Sequence, residues 1–141
     1  MKIVVDTNVF VSALLWGGIP ACLFRLARIS EIRICASEAI LAELEKTLNK
    51  PKILVKCQSL GFRVSDLMNA TRELVEVYSV SAINIPSLRD IDDNIIIATA
   101  IASQADIIIT GDRDLLVFQE YQNLSILTVR DFLEEYFPEY L

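Results

Sequence analysis

Short apolar runs alternate along this chain with longer stretches of helical periodicity. "KIVV" (2–5) is a continuous aliphatic run that stops at Asp6, the pattern of a strand buried on both faces of a parallel sheet. "VFVSALLW" (9–16) reads as a helix, and Gly17, Gly18 and Pro20 as a break before a second helix from about Ala21 to Arg28. "IRICA" (32–36) is a second strand. Ser37 is a suitable N-cap for "EAILAELEKTLN" (38–49), whose apolar stripe is Ile40, Leu41, Leu44 and Leu48 and which Pro51 ends. From Lys52 to about Val80 the pattern predicts a helical excursion: a short helix to Cys57, a turn at Gly61, and a longer helix capped by Ser65. Its continuation, "VEVYSVSAINIP" (75–86), alternates in places and has room for a strand. "NIIIATAIAS" (94–103) is apolar on nearly every side, which places it inside the molecule. "DIIIT" (106–110) is a third strand, Gly111 a turn, "DLLVF" (114–118) a short helix, "LSILTV" (124–129) a fourth strand, and "RDFLEEYF" (130–137) a closing helix. This alternation predicts an α/β fold with a parallel sheet sandwiched between helices.

Composition narrows the chemistry. A chain of 141 residues with 53% hydrophobic and 23% charged residues fits one domain spanning 1–141, and no repeat, low-complexity tract or linker divides it. The apolar runs are too short to cross a bilayer. In "MKIVVDTNVFVSALLW", Asp6 and Asn8 interrupt what a signal peptide would keep apolar, so a cytoplasmic protein is expected. Cys22, Cys35 and Cys57 are odd in number and lack CxxC spacing, which supports neither a disulfide framework nor a zinc knuckle; they are expected to be reduced and buried. The absence of histidine removes Ser-His-Asp and Cys-His nucleophiles and the HExxH zinc site. Chemistry must therefore run on carboxylates, hydroxyls, lysine, arginine or a metal. A formal net charge of -6 opposes a nucleic-acid partner, unless several acids are gathered at one cation site.

The acids do gather. In open α/β sheets, functional groups collect outside the carboxyl ends of the strands. Asp6 ends the first strand, and Thr110 and Asp112 follow the third. The helix at 94–103 leads antiparallel into that third strand, so its start, with Asp92 and Asp93, lies at the same edge. The helix after the second strand also begins there, with Glu43 in its first two turns. Each acid has a plainer alternative: Asp6 as an N-cap, Asp92 and Asp93 as a cap and a dipole partner worth roughly 0.3–1 kcal/mol, Asp112 and Asp114 as turn residues. Glu43 and Glu45 flank the apolar stripe on opposite sides, and periodicity does not choose between them. Convergence of four segments is what the plain readings do not explain. Two carboxylates about 4 Å apart repel by roughly 4 kcal/mol at an effective dielectric of about 20, against a net stability of roughly 5–15 kcal/mol for a domain. A compensating cation or raised pKa values are needed. An all-oxygen donor set favours Mg²⁺ or Mn²⁺, and such ions suit phosphodiester hydrolysis.

Four motifs in this order, "VVDTNVFVSALL", "SEAILAEL", "DDNIIIATA" and "IITGDRDLL", resemble the PIN-domain family of metal-dependent ribonucleases across nearly the whole chain. "LLWGGIP" further resembles a subgroup described as toxin components of bacterial toxin-antitoxin pairs, related to VapC toxins. The resemblance implies a three-layer α/β/α sandwich with a central, mostly parallel sheet of about five strands. It implies Mg²⁺ or Mn²⁺ bound by catalytic Asp6, Glu43, Asp93 and Asp112, choosing Glu43 over Glu45 and Asp93 over Asp92, with Asn8, Thr110 and Asp114 as supporting polar groups. An RNA substrate, a homodimer and an antitoxin partner follow from the same likeness. Ile91 stands where related sequences often have proline. Asp92 then reads as a cap and Asp90 as a solvated turn residue. Arg25, Arg28, Lys50, Lys52, Arg89 and Arg113 are candidates for RNA backbone contacts, each with an ordinary surface charge as its alternative. Two other functions compete. One is an aspartyl phosphotransferase of the haloacid dehalogenase type with Asp6 as nucleophile, against which Asn8 replaces that family's second acid. The other is a non-catalytic cation- or protein-binding module.

Overall fold

In the computed structural model the described residues are 1–80 and 91–141, the side chains of 91–93 excepted. The most apolar runs lie at the middle of the sheet. Strand β1 (Lys2–Val5) buries Ile3, Val4 and Val5 because it has a parallel neighbour on each side. Helices α1 (Thr7–Leu15) and α2 (Gly18–Arg28) lead to β2 (Arg33–Ser37), and helices α3 (Glu38–Leu48), α4 (Pro51–Ser59) and α5 (Val64–Leu74) to β3 (Val75–Tyr78). Helix α6 (Ile91–Ser103) precedes β4 (Ile107–Ile109). Helix α7 (Arg113–Leu116), β5 (Glu120–Tyr121), β6 (Leu124–Leu127), α8 (Val129–Tyr136) and a single 3₁₀ turn (Pro138–Tyr140) complete the chain. The sheet has six strands in the order β3-β2-β1-β4-β6-β5, parallel except for the β5–β6 pair. Connections from β1 step outward to β2 and β3, and the chain then returns across β1 to β4. Right-handed crossovers place helices of opposite steps on opposite faces, giving three layers, α/β/α.

Helix α6 is the interior helix its composition calls for. Ile96, Ile97, Ala98, Thr99 and Ala100 are buried and the helix packs on β1, β2 and β4, while Ile101 at its far end is exposed. All three cysteines are free and buried. Among the described residues no single helix is long and apolar enough to cross a membrane.

Three expectations need correction. Helix α2 starts at Gly18 rather than near Ala21: Gly17 and Gly18 both take positive φ (67° and 63°), which confines the break to them, and Pro20 falls in the first turn, where its missing N–H costs nothing. Pro51 does not merely end α3; it opens α4 as a first-turn proline. Ser65 is not the cap of α5, because Val64 packs against the core and the cap lies two residues earlier, at Arg63. The mostly parallel sheet of about five strands is as expected, with the two-residue antiparallel β5 added at its edge as a sixth.

Candidate active site

The order of the strands makes the site. The chain leaves β1 toward β2 and leaves β4 toward β6, in opposite directions, so a crevice opens between the carboxyl ends of β1 and β4. Asp6 is the first residue after β1, and its amide donates to the Ile109 carbonyl at 2.9 Å. Thr110 and Asp112 follow β4. The fully buried Thr110 donates its hydroxyl to Asp6 Oδ2 at 2.6 Å and accepts from the Asp112 amide at 3.0 Å, so one side chain ties both strand ends together. Asp6 precedes α1 with extended geometry, yet its side chain makes no capping hydrogen bond. Its carboxylate is thus aimed elsewhere than the plain N-cap reading requires.

A cavity of about 210 Å³ opens on Asp6 and Asp112. Helix α3 contributes half-buried Glu43 to it, together with buried Thr47 one turn later on the same face, whereas Glu45 is exposed and does not line it. Ile95 and Ile96 of α6 form another wall, so the first turns of the helix that carries Asp93 border the cavity; the Asp93 and Asp92 side chains, like Asp90, lie outside the described residues. Asn8 and Lys50 also line it. Asp112 is the N-cap of α7: one oxygen accepts from the Asp114 amide at 2.8 Å, and Asp114 itself is exposed. The turn reading of Asp112 and its place in the cavity therefore hold together. Of the candidate basic residues, Lys50 alone among those described reaches the cavity. Arg25, Arg28, Lys52 and Arg113 are exposed outside it, with Arg25 donating to Cys22 Sγ at 3.4 Å, and Arg89 lies outside the described residues.

Burial pushes the Asp6 carboxyl above its ordinary value. The Thr110 hydroxyl opposes that shift, as do the Asn8 and Thr7 amides, although neither amide completes a capping bond; the Asp112 charge adds to the rise. A half-buried carboxylate with no ion pair among the described residues suits a cation. The oxygen donors fit a hard divalent ion: one oxygen each of Asp6 and Asp112 and both of Glu43 accept no hydrogen bond among the described residues. Among those residues no three acidic, cysteine or histidine side chains close on one ion.

The sequence did not mark Thr47 as a site residue, nor Ser12, which lines a neighbouring cavity together with Pro20, read from the sequence only as part of a helix break. The signal was available: Thr47 is four residues after Glu43, and Ser12 four after Asn8, each pair sharing one helix face.

These acids lie at the switch point of a mostly parallel α/β sheet, where proteins of this class bind their ligands. The chain belongs to the PIN domain family, whose sequence profile matches residues 2–114. PIN domains are generally nucleases and typically use divalent metals. Family membership sets the phosphotransferase reading aside. The chain is 33% identical to the uncharacterized protein MJ1680 of Methanocaldococcus jannaschii, over 96% of this chain and 92% of that one. Its fold is similar to that of VapBC2 from Rickettsia felis, solved bound to a DNA fragment from the promoter, with a TM-score of 0.60, 19% identity, and coverage of 89% of this chain and 97% of the other.

Proposed function

We propose that this protein is a metal-dependent endoribonuclease in which Asp6, Glu43, Asp93 and Asp112 hold one or two Mg²⁺ or Mn²⁺ ions, and that it serves as the cytoplasmic toxin of a toxin-antitoxin pair. The observation that carries the reading is the meeting of Asp6 and Asp112 at the sheet's switch point, across one cavity from Glu43. Bound divalent ions supply charge neutralisation for a phosphoryl group and a lowered pKa for an attacking water. The protein's own part is orientation. Thr110 fixes the Asp6 carboxylate, the Asp114 amide fixes that of Asp112, and each keeps an oxygen for the ion. Lys50 offers a cation to a substrate phosphate at the cavity wall. Likeness in fold to VapBC2, with the "LLWGGIP" segment, supports the toxin assignment and with it an antitoxin chain and a homodimer.

Single-stranded RNA incubated with Mn²⁺ or Mg²⁺ tests the reading. Cleavage is expected from the wild type and not from Asp6→Ala or Asp93→Asn, nor from the wild type in EDTA. Equal cleavage by wild type and variants would mean a contaminating nuclease and overturn it.

A further inference from the structure

A second cavity, of about 300 Å³, lies against the first and shares Asp6, Asn8 and Asp112 with it. Its other walls are chemically different. Val9 and Pro20 present apolar surface, and half-buried Ser12 a hydroxyl. Gly111 closes the last side. The size is at the lower end of the roughly 300–1,000 Å³ found for small-molecule sites. Apart from the shared acids it has no charge among the described residues.

Resting on the nuclease reading, we infer that this second cavity is a nucleobase subsite, holding one unstacked base of the nucleotide next to the phosphate bound over Asp6 and Asp112. A strand whose phosphate lies at the acids must continue beyond them, and this cavity is continuous with them. Apolar surface for the faces of a ring and polar groups for its edge are the recognition chemistry of a splayed base. The half-buried Ser12 hydroxyl has no partner among the described residues, a state it shares with the helical hydroxyls of Thr7, Thr47 and Ser65, while four others bond back to their own helix. Thr71 and Thr99 each donate to the carbonyl four residues back at 2.8 Å, and Ser59 and Ser103 to the carbonyl three back. The Asn8 carboxamide, one turn before Ser12, is likewise unpaired among them. Among the described residues nothing requires glycine at 111: its φ is not in the left-handed region and a Cβ there would meet none of their atoms within 4 Å. Space left open beside a cavity suits close approach by a ligand. A base enters such a concavity only after leaving its stack, so a single strand is favoured over a duplex, which must first unpair and unstack that base at a cost of about a few kcal/mol.

The test uses an RNA single strand of known cleavage position. The base on each side of the cleaved bond is removed in turn by abasic substitution, and the cavity is filled from α1 with Ser12→Phe. One of the two abasic strands is expected to lose roughly tenfold in kcat/KM with wild type, the scale of one lost base contact. Ser12→Phe loses a similar factor on intact RNA and nothing further on that abasic strand. Multiplying losses, or no loss at either position, overturn the subsite. Ser12→Ala, which removes only the hydroxyl, keeps the test open should the larger side chain prevent folding; it is expected to change the preferred base at that position, and an unchanged preference counts against the subsite. A parallel titration of the full chain with the four nucleosides, followed by amide shifts at Val9, Ser12 and Gly111, needs neither metal nor turnover. If wild type cleaves no RNA, the nuclease reading falls, and nucleoside shifts at these three amides, or their absence, still decide the subsite.

Discussion

Asp6 concentrates the conflict between stability and chemistry in one residue. Burial raises its pKa above the ordinary 3.8, so the native chain binds this proton more tightly than the unfolded chain does. Stability tied to that proton is complete below the unfolded value and is lost as pH rises through the raised one. Ionising this carboxyl therefore costs the metal-free protein stability. Asp6→Asn, which still offers an oxygen to Thr110, is expected to raise the melting temperature of metal-free protein by a few degrees at pH 7, on the order of 1 kcal/mol. The gap should close as pH falls toward 4 in a thermal-shift series; a variant no more stable than wild type at pH 7 would contradict the account. Thr110→Val acts in the opposite sense. Without the 2.6 Å hydrogen bond the carboxylate is less favoured, so the acidic limb of Mn²⁺ binding should move to higher pH, and an unmoved limb would remove Thr110 from that role. At this scale the sequence was legible in part. Asp6 and Asp112 announced themselves by following apolar strands, whereas periodicity could not decide between Glu43 and Glu45; the family resemblance chose Glu43, and that is the one α3 turns toward the cavity.

Between elements, the informative feature is a chain of hydroxyls. Thr99 spends its one proton on the Ile95 carbonyl, so the 2.8 Å contact between Ser37 and Thr99 must use the Ser37 proton, and Ser37 in turn accepts from the Ile40 amide. Start of α3 and middle of α6 are thereby joined inside the core, Ser37 being 2% and Thr99 0% exposed. These are the helices that carry Glu43 and Asp93. Ser37→Ala is expected to cost about 1–2 kcal/mol, from the lost cap, and Thr99→Val about 1–3 kcal/mol, because the Ser37 hydroxyl is left buried without an acceptor. The double variant should cost less than the sum in urea unfolding, since either change breaks the same contact; strict additivity would show that the contact is not shared. Ser37 was legible as a cap from its place before an apolar stripe, whereas its bond to Thr99, 62 residues away, was not. Strand β5 was illegible for a local reason. Its hairpin turns on Gln122 and Asn123, both at positive φ (46° and 71°), without the glycine that marks such turns in a sequence. Two polar-flanked residues cannot display a period.

For the whole molecule, the charge balance sets how a nucleic acid can be held. With 13 basic and 19 acidic residues the chain repels a polyanion at long range, and Lys50 alone among the described candidate cations lines the acid cavity. Under the proposed function, affinity comes from divalent ions at the acids and from contacts that release few counterions. If Lys50 and its neighbour Lys52 are the main phosphate partners, binding of a single strand should fall with log salt at a slope of roughly -1.4, from about -0.7 per neutralised phosphate. Anisotropy of a labelled 2′-O-methyl single strand, measured in Mg²⁺ between about 50 and 300 mM KCl, gives that slope. Lys50→Ala should flatten it by about one phosphate's share, and EDTA should abolish binding rather than merely weaken it. A steep slope, near -4 or beyond, with binding indifferent to EDTA, would mean that a basic surface away from the acids holds the strand. The switch-point crevice would then not be where substrate binds.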